Sequence, residues 1–446
     1  MTNPQAQPNS PGESSKPSDV VAHDAFAAMR EPNYRFFAFA FVASSLGLQM
    51  LSTAIGWEIY ERTDDAFMLG LTGLARALPM IALTLPAGTI VDRSDRKTVL
   101  AITQFGFGVV ALAFALVSFT HSPVWMFFAL LMVSGCVRSF NSPSRGALLP
   151  SLLPAERFEN AIAWQSGFFQ FAAVAGPIIA GIVIASLGGA WIVYVSTAVL
   201  CLGAGVAALF LKPRAVIRTS APPRFRDMLS GAKHIWREKT ILGALTLDLL
   251  AVLFGGATAL LPVYAKMLQV GPVGLGALRA APFVGAFLTA IWLAARPTFR
   301  NAGATLLWSV AGFGVCMIIF GLSQSLWLSL LVLGVSGALD NISVVIRHVL
   351  VQLRTPDEMR GRTSAVNAVF IESSNELGAF ESGLVAREFS PMISVVSGGV
   401  GTLAVVALVA FAFPALRAMR RIDETSEDVR RAEFEEEEHR RLGTEG

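Results

Sequence analysis

Long apolar runs separated by short polar breaks set the pattern of this chain. Residues 98–137 contain no Asp, Glu, Lys or Arg. A bilayer core takes roughly 20 apolar residues per helix, so this run predicts two spans with a turn at His121-Ser122-Pro123. Residues 161–211 break in the same way at Leu187-Gly188-Gly189, and 301–339 break at Ser323-Gln324-Ser325. Further runs at about 35–60, 68–91, 241–265, 273–295, 364–386 and 391–415 bring the expected number of helices to about twelve.

An internal repeat orders these spans. Gly73-Leu74-Ala75-Arg76-Ala77-Leu78-Pro79 returns as Gly276-Ala277-Leu278-Arg279-Ala280-Ala281-Pro282. Ser134-Gly135 returns as Ser336-Gly337, Arg145 as Arg347, Pro154 as Pro356, and Gly176 and Gly181 as Gly378 and Gly383. Several matches in one order at one offset predict an all-α polytopic membrane protein of twelve transmembrane helices in two pseudo-symmetric six-helix halves. Parallel repeats of this kind place a binding site between the halves near mid-membrane. The expected organisation is an N-terminal tail over 1–32, disordered and rich in Pro, Ser, Asn and Gln, then a first half over 33–211. A linker follows over 212–240, a second half over 241–415 and a charged tail over 416–446.

Charge placement orients the chain. One set of loops carries Arg93, Arg96, Lys97, Arg145, Arg157, Arg296, Arg300, Arg354, Arg360 and Arg362, and the linker adds eight more bases. The opposite set carries only Arg62, Lys266 and Arg387. The positive-inside rule then puts both termini in the cytoplasm. With 54% hydrophobic and 15% charged residues the chain cannot cover a soluble surface. Cys136, Cys201 and Cys316 all lie in apolar runs and read as packing residues, not as a disulfide or metal set. Phosphate-loop, zinc-protease and nucleophile-elbow motifs are missing, which argues against ATP-driven transport and against catalysis. No cofactor is expected. An ion gradient, most simply of protons, is the remaining energy source.

Between the second and third runs stands Gly88-Thr89-Ile90-Val91-Asp92-Arg93-Ser94-Asp95-Arg96-Lys97. This Gly-x-x-x-Asp-Arg-x-x-Arg-Lys pattern resembles the helix 2–3 loop of major facilitator superfamily transporters. Within that superfamily, Gly56-Trp57-Glu58-Ile59-Tyr60, residues 355–362 and residues 374–383 resemble the bacterial branch that holds the enterobactin exporter and related transmembrane secretion effectors. The resemblance implies alternating access in the bacterial inner membrane and export of a siderophore, macrolide or other amphipathic compound. It also implies a gate: Gly88 admits a neighbouring helix, and Asp92, four residues on, sits against the positive N-terminal end of helix 11. Arg93, Arg96 and Lys97 then pair with acids or lipid phosphates. Asp95 stands where the superfamily usually has glycine.

Ionisable residues inside spans are costly and usually functional. Glu58 and Arg76 stand at matching depths, as a structural ion pair or as groups for substrate or protons. Arg279 is the repeat mate of Arg76, with Glu376 or Glu381 as plausible partners. Arg138 and Asp340 occupy equivalent places in helices 4 and 10 and could bridge the halves. Glu372 and Glu376 share a face of helix 11 and are the leading proton carriers, ahead of Glu381, which points elsewhere. Asp248 and Arg347 are expected near a membrane surface, hydrated. The expected partners are a small-molecule substrate and the lipid bilayer, with no nucleic acid, and the chain is expected to act as a monomer. An uptake symporter of the same fold is the first alternative. A non-transporting receptor or scaffold is the second, disfavoured by the retained repeat, loop motif and buried charges.

Overall fold

The computed structural model describes residues 24, 26–214, 233–295, 301–356 and 359–420. Most of the expected N-terminal tail, linker and charged C-terminal tail, and with them Arg296 and Arg300, lie outside the described residues.

Twelve spans follow the apolar runs. In the first half they are α1 (Pro32–Thr63), α2 (Ala66–Arg93), α3 (Arg96–Phe119), α4 (Trp125–Leu152), α5 (Phe158–Leu187) and α6 (Ala190–Leu209). In the second, span 7 is split into α7a (Lys239–Phe254) and α7b (Leu261–Met267), followed by α8 (Gly271–Ala294), α9 (Ala302–Leu322), α10 (Leu326–Arg354), α11 (Arg360–Glu388) and α12 (Pro391–Ala412). The expected breaks have local causes. Gly188 ends α5 in the left-handed region at φ 72°, which glycine adopts without strain. Span 7 reads as one apolar run but breaks at Gly255-Gly256, where a Cβ on Gly256 would stand 2.6 Å from the carbonyl oxygen of Gly378 on α11. Close packing of two helices fixes the break.

Among the described residues, ten spans are long and apolar enough to cross a membrane on length and composition alone; α4 and α11 are not among them. Those two carry Arg138, Glu372, Glu376 and Glu381, and their neighbours in the bundle, not their hydropathy, make them membrane-embedded.

Asp95, the departure from the superfamily loop, caps α3. Its carboxylate accepts hydrogen bonds from the Thr98 amide at 3.2 Å and the Thr98 hydroxyl at 2.6 Å. These bonds hold its pKa below the ordinary 3.8. Its contribution is therefore present above the unfolded-state pKa and lost as pH falls through the folded value. Asp95→Ala should cost about 1 kcal/mol and Asp95→Asn much less, read by denaturant unfolding at neutral pH; equal stability of both variants with the parent would refute the cap.

The halves meet at one end. Arg93, Arg96, Lys97, Arg157, Lys212, Lys239 and Arg354 cluster at helix ends on one side, the base-rich end. At the opposite end α2 crosses α11 and α5 crosses α8 through small residues. A Cβ on Gly383 would lie 2.6 Å from Gly70 Cα, and Cβ atoms on Gly181 and Gly276 would strike the carbonyls of Pro272 and Pro177. Lys266 of α7b also reaches Asp64, between α1 and α2, at 2.8 Å across this rim. That hydrogen bond, with the lysine charge, holds the Asp64 carboxyl below its ordinary pKa. Toward the base-rich end the ties run within each half instead: Arg157 to Glu31, Arg96 to the Ala147 carbonyl and Arg354 to Glu238. A cleft therefore opens at the base-rich end and closes at the other.

Candidate functional site

The floor of this cleft is built by one face of α11 against α2, α4 and α8. Glu372 and Glu376 stand one turn apart on α11 and each reaches into the first half. Glu376 pairs with Arg76 of α2 at 3.6 Å, with side chains 14% and 29% exposed. Glu372 accepts both its bonds from one nitrogen of Arg138 on α4, at 3.1 Å each. Arg279 of α8 donates across the interface to the Ser52 carbonyl at 3.2 Å and the Ser52 hydroxyl at 3.0 Å. Gln170 of α5 donates to the Phe283 carbonyl of α8. A cavity of about 190 Å³ lies among Ser52, Thr72, Arg76, Thr258, Arg279, Asn375 and Glu376. An apolar cavity of about 260 Å³, bordered by Leu249, Leu253, Phe370 and Leu377, lies between α7a and α11.

Glycine makes the first contact possible. A Cβ on Gly73 would stand 2.7 Å from the Glu376 carbonyl and 3.2 Å from its Oε2. The repeat therefore explains more than symmetry. Its Gly-x-x-Arg unit places Arg76 and its mate Arg279 on opposite walls of one cavity.

Several sequence expectations change here. Glu58 does not pair with Arg76. It pairs with Arg62, one turn along α1, and accepts a 2.7 Å bond from the Tyr194 hydroxyl of α6. Arg62 also donates to the Ser118 and Ser122 carbonyls and lies 5.3 Å from the Phe127 ring centroid. The reason is facing: α2 packs against α4 and α11, which directs Arg76 to Glu376 and away from Glu58. Glu58 is only 4% exposed and is tied within one half. Arg138 does bridge the halves, but to Glu372, not to Asp340. Arg279 contacts neither Glu376 nor Glu381 by an ion pair among the described residues; Glu381 accepts only a long 3.5 Å bond from Ser382. Asp248 and Arg347 are not hydrated. They pair with each other, 9% and 7% exposed.

Asp340 is exposed, yet it shares the α10 face of buried Leu333, Ser336, Ser343 and Arg347. Lipid-facing Trp327, Leu331 and Val335 lie on the other side of that helix. Its exposure is therefore toward the cleft, and no ion pair to it occurs among the described residues. In the loop motif, Asp92 lies in the last turn of α2 and its side chain is outside the described residues. Arg96 donates to the Ala147 carbonyl of α4 at 2.9 Å, and Arg93 is exposed. Lys97 is half-buried. The close helix approach expected at Gly88 is absent from this structure: a Cβ there would meet nothing within 4 Å.

Sequence reasoning missed Ser52, Thr72 and Thr258 in the cavity, as well as Tyr194 beside Glu58. A signal for the rim contacts was available. The three bases that break the positive-inside pattern each have a local tie: Arg62 to Glu58, Lys266 to Asp64, and Arg387 over the Phe67 ring at 4.9 Å. Asp64 and Lys266 also sit one repeat offset apart.

Comparison with known proteins agrees with this architecture. The profile of the Transmembrane secretion effector family, MFS_3, matches residues 23–444. The enterobactin exporter EntS of Shigella boydii serotype 4 is 23% identical over 393 residues, covering 87% of this chain and 94% of that protein. EntS of Escherichia coli O81 aligns equally well, at 23% over 393 residues. Among solved structures, a bacterial homologue of the iron transporter ferroportin in an inward-facing state superposes with TM-score 0.66 at 16% identity, covering 88% of this chain and all of that one (100%). The nucleoside transporter NupG superposes with TM-score 0.65 at 13% identity, over 86% of this chain and 99% of its own. These matches fix the fold and the transporter class, and they set the chain apart from enzymes. The chain belongs to the transmembrane secretion effector family of the major facilitator superfamily, and is a multi-pass membrane secondary transporter.

Proposed function

We propose that this transporter is a proton-coupled exporter of a small amphipathic molecule, a siderophore, macrolide or other drug-like compound. It works by alternating access in the bacterial inner membrane with both termini in the cytoplasm. The observation that carries the coupling is the pair of inter-half bridges from one face of α11, Glu376–Arg76 and Glu372–Arg138. Each carboxylate holds the two halves together only while it is charged. Protonation removes the charge that holds the arginine, so proton binding and the relative position of the halves are linked. The cleft opening at the base-rich end corresponds, on the positive-inside orientation, to an inward-facing state. The names of the EntS relatives support export over uptake.

The loop from Gly88 to Lys97 is assigned to the gate at the base-rich end, working when that end closes. Asp92→Asn should then leave expression normal and slow transport several-fold. Transport at the parental rate, at normal expression, would remove the gate assignment.

The coupling is tested in cells and in vesicles. Cells with the protein should accumulate less of its substrate, from a panel of siderophores, macrolides and lipophilic dyes, than cells without it. A protonophore should erase the difference. In proteoliposomes with an imposed pH gradient, Glu376→Gln or Glu372→Gln should abolish gradient-driven movement, while exchange of labelled for unlabelled substrate survives. Full gradient-driven transport in both variants would overturn the assignment and leave cleft-facing Asp340 as the carboxylate to test next.

A further inference from the structure

We propose that the cavity between Arg76 and Arg279 binds an anionic group, a carboxylate or similar planar oxyanion, carried by the transported molecule. This rests on the transport reading and narrows its substrate class. The charge balance carries the argument. Two guanidinium groups line the cavity and only one carboxylate, Glu376, lines it with them. Arg279 is held by neutral oxygens of Ser52, and no ion pair to it occurs among the described residues. A surplus cation at mid-membrane is expensive and is retained where it serves an ion or a substrate.

The existing partner of Arg76 is also loosely placed. Its contact with Glu376 is 3.6 Å, and its own Nε reaches the Thr72 carbonyl at 3.4 Å. Tight N–H···O contacts between guanidinium and carboxylate run about 2.7–2.9 Å. An incoming oxyanion with better geometry would take over donors that Glu376 holds weakly. Gly56 lines the cavity without a side chain, and a Cβ there would stand 3.5 Å from the Arg279 guanidinium. Ile55 and Pro262 supply apolar wall for a carbon skeleton. At about 190 Å³ the cavity takes the charged head of a ligand, and the remainder extends into the open cleft. Because the two arginines come from different halves, an anion between them touches both, which ties its binding to their separation.

The test uses full-length protein in lipid nanodiscs, with no gradient, titrated with 2-naphthoate and with the uncharged 2-naphthamide against empty nanodiscs. The carboxylate should bind saturably and the amide at least about tenfold more weakly. Arg279→Gln and Arg76→Gln should each weaken naphthoate binding by about tenfold or more, and Arg279→Lys should restore part of it. Equal binding of the two probes to the parent protein overturns the proposal. So does the absence of saturable naphthoate binding up to about 10 mM, or a carboxylate preference that survives in both glutamine variants. The parent comparison depends on no variant folding. Nothing is moved across a membrane in this assay, so the anion site can fail while gradient-driven export stands, and the reverse.

Discussion

Asp248→Leu should destabilise the protein by about 3–5 kcal/mol, and Arg347→Leu by a similar amount, in denaturant unfolding of the detergent-solubilised protein. Asp248 of α7a and Arg347 of α10 form an ion pair with both side chains under a tenth exposed. Around them Ala244, Leu247, Ala251, Ile346 and Leu350 make an apolar cluster. Removing one partner leaves a charge among these side chains with no water to solvate it. Arg347 keeps only a 3.3 Å bond from its Nε to the Ser343 carbonyl. Removing both partners takes away the desolvation penalty with the attraction, so Asp248→Leu combined with Arg347→Leu should recover most of the loss. Single variants within about 1 kcal/mol of the parent would mean that the pair behaves as a hydrated surface bridge.

That pair shows what the sequence could and could not convey. Asp248 lies nine residues into α7a and Arg347 seven residues from the end of α10. At 1.5 Å per residue these are about 13 and 10 Å from the helix ends, so matching depth was legible. Which helix faces which was not. The same gap explains Glu58 and Arg76. Their depths match, but helix packing turns Arg76 toward α11 and leaves Glu58 to Arg62. Span number, turns and repeat were readable, because apolar length and glycine placement are local properties. Glu372 and Glu376 were picked out by their shared face on α11, and the structure gives that face two arginines from the other half. The split of span 7 was hidden, because Gly255-Gly256 sits in a continuous apolar run and breaks only where α11 presses against it. At Gly88 the loop motif implied a helix contact that this structure does not show, and a sequence carries no label for the conformational state.

Gly383→Leu is expected to slow gradient-driven transport and substrate exchange alike, because it acts on the closed rim and not on the chemistry. A Cβ at Gly383 would stand 2.6 Å from Gly70 Cα and 3.0 Å from the Ala66 carbonyl. Both obstacles are backbone, so no rotamer change relieves the clash. In the alternating-access reading, the opposite state parts α2 from α11 at this rim, and there the leucine meets no such obstacle. The substitution therefore penalises one state only. Overpacking costs about 1–3 kcal/mol, which shifts the balance between the two states roughly 5- to 150-fold toward opening at the base-poor end. Transport, which must pass through both states, should fall by a similar factor while expression holds. Thr258, which lines the cavity between the halves, reports the shift. With the partly exposed Cys136 replaced by alanine, Thr258→Cys should react slowly with a membrane-impermeant maleimide added on the base-poor side. Adding Gly383→Leu should speed that reaction at least several-fold, and Gly383→Ala should fall between. Unchanged labelling and unchanged transport in a well-expressed Gly383→Leu protein would show that the α2–α11 crossing is not the element that opens.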